Sequence, residues 1–235
     1  MDRQARDSRF PLRVSAVTID LDGTLADTVP DLAAATNGML RELGRPPLEE
    51  AQVRAFVGKG IAKLVERALA GGLDGSVEEP ELARALPVFE RCYAAVNGRH
   101  TRLYPGAREA LEALRAKGFP LACVTNKAQR FTAPLLEQLG LARYFEEVIA
   151  GDTLPQRKPD PAPLLHACRR LGVPPERMLV IGDSVNDAQA ARAAGCPVIC
   201  VSYGYNEGRD VRELDVDAIV SSLPEAARLI EKTES

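Results

Sequence analysis

At 235 residues and 25.4 kDa, the chain has room for one large domain, or for a core domain carrying a smaller insert, and for a substantial hydrophobic core. Its 30 basic and 33 acidic residues leave a net charge of −3 with no basic face legible along the sequence, which argues against nucleic acid as a main partner. No apolar run approaches the roughly 18 residues of a membrane span, and the N-terminal MDRQARDSRFPLR lacks the apolar stretch of a signal peptide, so a cytoplasmic protein with no membrane partner is expected.

Residues 1–13 read as a disordered tail, its arginines (Arg3, Arg6, Arg9, Arg13) interrupted by acids and by Pro11. The apolar run 15–21 predicts a first strand. Similar runs at 119–125, 145–151, 177–183, 197–203 and 217–222 predict five more. Helical spacing of Ala and Leu marks 106–118, 128–139, 162–171 and 185–194 between them. Strands that are apolar on both faces and alternate with helices predict right-handed βαβ units and a doubly wound parallel sheet covered on both sides, a Rossmann-like α/β core.

The first strand breaks this rhythm, because the segment that follows it is helical in pattern throughout. Leu32, Ala35, Met39, Leu40 and Leu43 mark one amphipathic helix; Ile61, Leu64, Val65, Ala68 and Leu69 a second; Leu82, Leu86, Phe89, Tyr93 and Val96 a third. Pro46-Pro47 and the glycine-rich 71–75 punctuate them. Residues 27–101 are therefore expected to form an inserted α-helical cap domain, and residues 14–26 with 102–235 the core. The five cysteines (Cys92, Cys123, Cys168, Cys196, Cys200) are odd in number and lack C-x-x-C spacing, and there are only two histidines, which supports neither a disulfide framework nor a zinc site.

In such a sheet, ligands bind at the carboxyl ends of the strands. The first strand ends in Asp20-Leu21-Asp22-Gly23-Thr24, the second in Thr125-Asn126, and the run at 177–183 in Gly182-Asp183-Ser184 with Asn186-Asp187 beyond; Lys158 lies in the loop QRKPDP. Singly, each has a bland reading: a turn or helix cap for Asp20, Asp183 and Asp187, a structural hydroxyl for Thr125, a solvated charge for Lys158. Their joint occurrence at successive strand ends points to a site.

Taken in order, DLDGT, VTN, KPDP and GDSVND resemble the four signature motifs of the haloacid dehalogenase superfamily of phosphotransferases, over nearly the whole chain. The resemblance implies a Mg²⁺-dependent phosphohydrolase. Asp20, the Asp22 backbone carbonyl and Asp183 would hold Mg²⁺, with Asp187 close by, because crowded carboxylates repel and a hard divalent cation relieves them. Asp20 would attack phosphorus and form an aspartyl-phosphate, while Asp22 would protonate the leaving alkoxide and then deprotonate the hydrolytic water. The Gly23-Thr24 turn would bend the chain toward the phosphate. Thr125 and the Asn126 amide would hydrogen-bond its oxygens, and Lys158 would balance charge and orient Asp20. An acid at position 22 argues against dehalogenation, since halide leaves without a proton.

The cap would set specificity. Gly58-Lys59-Gly60 precedes a helix, so its backbone amides and the Lys59 charge suit an anion; the alternative is an ordinary turn with an exposed lysine. DGTLADTVPDLAAATNGML, VGKG with LVERAL, and SYGYNEG resemble the bacterial phosphoglycolate phosphatase family, which implies 2-phosphoglycolate as the small phosphorylated partner, its carboxylate meeting the Gly58–Gly60 turn. A sugar-phosphate phosphatase or phosphomutase of the same superfamily, and a non-catalytic phosphate-binding module, are the alternatives. Tyr203, Gly204 and Tyr205 read equally as site border or surface loop. The pattern fits a monomer or a homodimer.

Overall fold

The computed structural model describes residues 10–233. Residues 1–9 of the expected tail, with Arg3, Arg6 and Arg9, lie outside that range. The expectation that the tail runs to residue 13 is corrected: Leu12–Val14 is strand β1 and pairs in parallel with Ile230–Lys232 at the other end of the chain. Val14 is fully buried there, and burial of an apolar residue is what fixes so short a strand.

Strand β2 (Ala16–Ile19) is buried along its whole length and leads into the DLDGT turn. A two-residue strand β3 (Ala26–Asp27) then opens a helical insert of α1 (Val29–Glu42), α2 (Glu50–Phe56), α3 (Ile61–Ala70) and α4 (Glu79–Val96), which β4 (Arg102–Leu103) closes by pairing antiparallel with β3. Three of these helices match the expected amphipathic stripes; α2, with only Val53 and Phe56 buried, is too short to show one. Proline at the first turns of α1 and α4 fits the chain there, where no amide partner is lost.

The alternating region follows: α5 (Ala107–Ala116), β5 (Leu121–Val124), α6 (Gln129–Gln138), β6 (Glu147–Ile149), α7 (Ala162–Leu171), β7 (Met178–Gly182), α8 (Val185–Ala194), β8 (Val198–Val201), β9 (Ala218–Val220), α9 (Leu223–Arg228) and β10 (Ile230–Lys232). Six strands form one parallel sheet in the order β6-β5-β2-β7-β8-β9, each lying inside an apolar run predicted from sequence. The sheet is packed on both faces. Ile19, Leu121 and Leu179 point into one buried cluster with Leu111 and Leu114 of α5, and Ala16, Val124 and Val180 into another with Leu164, Ala167 and Ala191 of α7 and α8.

A third cluster fills the insert, where Met39, Leu40, Val65, Phe89 and Tyr93 meet. It also takes in Phe131 of α6 and Tyr205 from the loop after β8, so the insert is sealed against the core through shared apolar contact. The order of connection reverses beside β2: β5 and β6 lie on one side of it, β7, β8 and β9 on the other. This is the switch point at which an open α/β sheet leaves a crevice at its carboxyl edge.

Candidate active site

The crevice collects the residues that the motifs name. Asp20 follows β2, Thr125 follows β5, and Asp183 follows β7, so three neighbouring strands deliver side chains to one point. Beyond Asp20 the chain turns back at once. The Leu21 carbonyl accepts from the amides of Leu25 and Ala26, and Gly23 sits at φ +89°, where a Cβ would lie 2.3 Å from Asp183 Oδ2. Only glycine allows both that conformation and that approach.

Carboxylate oxygens of Asp20, Asp183 and Asp187 all lie within 4.8 Å of one another. Burial, reinforced by the charges of Asp187 and Asp22, pushes the Asp20 carboxyl up to about 7 despite the opposing Lys158 ammonium; burial and the neighbouring acids likewise raise Asp183 well above the usual carboxylate range. Asp20 Oδ1 and Asn186 Oδ1 are buried with no hydrogen bond from any described residue, and both residues line the same small cavity, with Asp183 and Asp187. Crowded acids and unused oxygen acceptors around one cavity fit a hard divalent cation that retains water.

Each acid is held by a defined partner. Asp183 accepts from the Thr24 hydroxyl at 2.9 Å and from the Tyr205 amide. The carbon of Gly204 packs so closely that an added Cβ would stand 2.2 Å from Asp183. Asp187 accepts from Lys158 at 2.6 Å through one oxygen and from the Ser184 hydroxyl at 2.7 Å through the other. It therefore also caps α8, so the structural and the site readings of this residue both hold. Lys158 donates to the Val124 carbonyl and to Asp187 and pairs by charge alone with Asp20, 3.1 Å away; those charges raise its pKa although burial alone would lower it.

Several expected substrate contacts are placed differently. Thr24 is fully buried and committed to Asp183, so its hydroxyl holds a carboxylate of the cluster. Asn126 lines the crevice, and its side-chain amide bridges the carbonyls of Gly58 and Lys158 at 2.9 and 2.8 Å, tying the insert to the core. Gly58 and Gly60 also line the crevice, but Lys59 does not: its ammonium lies 3.1 Å from the buried Glu207 carboxylate, an opposite charge that draws it to the loop after β8. Glu207 in turn receives the buried Arg67 guanidinium of α3 at 2.6 Å. Thr125 stands in the crevice wall, its hydroxyl accepting from the Lys127 amide.

Sequence reasoning stopped at Asn126 and missed the next residue. Lys127 is buried, 3.2 Å from Asp22 Oδ1, and bonded to the Tyr93 hydroxyl of α4. Its signal was available as the cation directly following VTN; Tyr93 was legible only as an apolar-stripe residue. The crevice encloses about 470 Å³ of space open to solvent, with Asp20 and Asp22 at its base and Leu32, Val57, Ile61 and Leu64 along the insert side.

A parallel sheet with a helical insert after its first core strand, and an acid cluster with a buried lysine at its switch point, define a hydrolase core built for an anionic substrate beside a metal. Residues 14–195 match the family model for the haloacid dehalogenase-like hydrolases, and the chain belongs to that family. It is 60% identical to a phosphoglycolate phosphatase of Nitrosospira multiformis, over 95% of this chain and 99% of the relative, and 52% identical to one of Thiobacillus denitrificans, over 95% and 98%. The crystal structure of a predicted phosphoglycolate phosphatase from Haemophilus somnus 129pt superposes with a TM-score of 0.85 at 35% identity, covering 90% of this chain and 96% of that one.

Proposed function

We propose that this chain is a cytoplasmic, Mg²⁺-dependent phosphomonoesterase that hydrolyses 2-phosphoglycolate to glycolate and phosphate through an aspartyl-phosphate on Asp20. The observation that carries the reading is the Asp20-Asp183-Asp187 cluster at the switch point, beside Lys158, in a chain so similar to phosphoglycolate phosphatases. None of the described helices is long and apolar enough to cross a membrane. In this reading residues 27–101 act as the cap and 14–26 with 102–235 as the core.

Mg²⁺, held by Asp20, the Asp22 carbonyl and Asp183, would neutralise phosphoryl charge so that an anionic nucleophile can approach. Asp20 forms its bond to phosphorus as the ester P–O bond breaks, and Asp22 gives a proton to the departing oxygen. Water then attacks the same phosphorus, Asp22 takes its proton, and the Asp20–phosphorus bond breaks. Lys158 keeps Asp20 aimed, and Thr125 with the Asn126 amide binds the equatorial oxygens. The aliphatic wall of Leu32, Val57, Ile61 and Leu64 offers no hydrogen-bond partners to sugar hydroxyls, which favours a small leaving group over the sugar-phosphate alternative.

Phosphate release from 2-phosphoglycolate, sugar phosphates, pyrophosphate and p-nitrophenyl phosphate, with and without Mg²⁺, tests this. The expected result is a lead for 2-phosphoglycolate of about a hundredfold in kcat/KM, roughly 2.7 kcal/mol of transition-state discrimination, abolished by chelation and by Asp20→Asn. A different leading phosphate refutes the substrate; an active Asp20→Asn refutes the mechanism.

A further inference from the structure

The crevice described above contains one cation that the motif chemistry leaves unused. Lys127 is its only cationic lining residue among those described, since Lys59 is drawn off by Glu207 and Lys158 belongs to the acid cluster. A buried ammonium needs an anion beside it, and Lys127 has one in the Asp22 carboxylate at 3.2 Å. An ammonium has three donors. The Tyr93 hydroxyl takes one and the two Asp22 oxygens, at 3.2 and 3.4 Å, take the others, while the ring of Tyr93, 4.7 Å from the ammonium, backs it on the insert side. The 3.4 Å contact is the weaker of the two to Asp22, so a ligand anion in the crevice can take that donor while Lys127 keeps its other bond to Asp22.

The chemistry of the leaving group fixes where a second anionic group must lie. In 2-phosphoglycolate a single methylene joins the ester oxygen to the carboxylate, so the carboxylate sits beside whichever acid protonates that oxygen. That acid is Asp22, and Lys127 is the ammonium in contact with it. One charged donor next to an aliphatic wall suits a small planar monoanion; it gives a neutral alkyl group nothing to bond. We propose that Lys127 is the specificity-determining residue that recognises the substrate carboxylate, a role the sequence pattern had suggested for Lys59; this rests on the phosphoglycolate reading given above. The contact of Lys127 with Tyr93 makes the recognition a joint property of core and insert.

The test compares 2-phosphoglycolate with ethyl phosphate, which has the same ester oxygen and first carbon but no carboxylate, on the full chain with Mg²⁺. In Lys127→Met both rates fall, because Asp22 loses its partner. The ratio of kcat/KM for the two substrates falls a further ~10- to 100-fold, the usual effect of losing a hydrogen bond to a charged group. Lys59→Met leaves that ratio within about twofold of wild type. If the ratio survives in Lys127→Met, Lys127 only positions Asp22 and the proposal is overturned. If wild type shows no preference for 2-phosphoglycolate over ethyl phosphate, the substrate reading itself fails and takes this one with it.

Should Lys127→Met not fold, because it strands the Asp22 charge, the pair Asp22→Asn/Lys127→Met buries no lone ion. Calorimetric binding of the two phosphates to Asp22→Asn and to the double variant then reads the same preference without turnover. Loss of the carboxylate-dependent affinity difference in the double variant supports the assignment, and its retention refutes it.

Discussion

At the scale of single residues, the acid cluster depends on neighbours that donate to it without facing the crevice. Thr24 is the clearest, its hydroxyl bonded to Asp183 and its side chain fully buried. Thr24→Val keeps the shape and removes the donor, so Asp183 is less firmly aimed. The expected result is a Mg²⁺ affinity lowered about 10- to 100-fold, as for other groups that orient metal ligands, with KM at saturating Mg²⁺ nearly unchanged. A raised KM at saturating metal would return Thr24 to the substrate contacts. Gly204→Ala presses on the same carboxylate from the other side, through a Cβ 2.2 Å from Asp183, and should weaken Mg²⁺ in the same titration. Most of the motif residues could be read from sequence because they stand at or just past a strand end, where an apolar run gives way to polar groups. Lys127 and Tyr93 could not be paired that way, since a buried lysine and a stripe tyrosine look ordinary until folding brings α4 over β5.

At the scale of elements, the insert is anchored by one carboxylate in the first turn of α1. Asp31 is fully buried and accepts hydrogen bonds from the amides of Gly98, His100 and Thr101 and from the Thr101 hydroxyl, tying the entry of the insert to its exit. Burial raises its proton affinity, but these donors outweigh it and leave its pKa below the ordinary 3.8. The stabilisation is therefore complete above that ordinary value and is lost as pH falls through the lower folded one. Asp31→Ala leaves buried donors unpaired and should cost about 1–3 kcal/mol or more at neutral pH, measured by urea unfolding. Its stability should also fall less steeply than that of wild type on acidification below pH 4. The same element scale shows what a sequence reveals. Helices α7 and α8 begin and end where predicted, since Pro161 and Ser184 precede them and Gly172 and Gly195 follow in left-handed backbone. Strands β1 and β10 escaped notice because three residues carry no periodicity and their partner lies at the opposite end of the chain.

At the scale of the whole molecule, the doubly wound order that fixes the fold also concentrates charge. Asp20 lies far along the sequence from Asp183 and Asp187, and an unfolded chain keeps it apart from them in water; folding brings all three within 4.8 Å and buries Asp183 and Asp187. Lys158 offsets part of the repulsion, yet Asp20 and Asp183 still stand above the usual carboxylate range, so the fold retains an unmet demand for positive charge. A cation bound by the folded state alone supplies it, and mass action converts that binding into stability: about 2.7 kcal/mol at a free concentration one hundred times Kd. For a chain of this size that is a rise in Tm of about 5–10 °C. Melting in increasing MgCl₂, against NaCl of matched ionic strength, should show that rise for wild type and almost none for Asp183→Ala, which removes a ligand while the rest of the sheet stays intact. A rise of equal size in both proteins would mean that Mg²⁺ acts elsewhere on the surface. No rise in either would mean that the convergence of acids at the switch point is not a metal site.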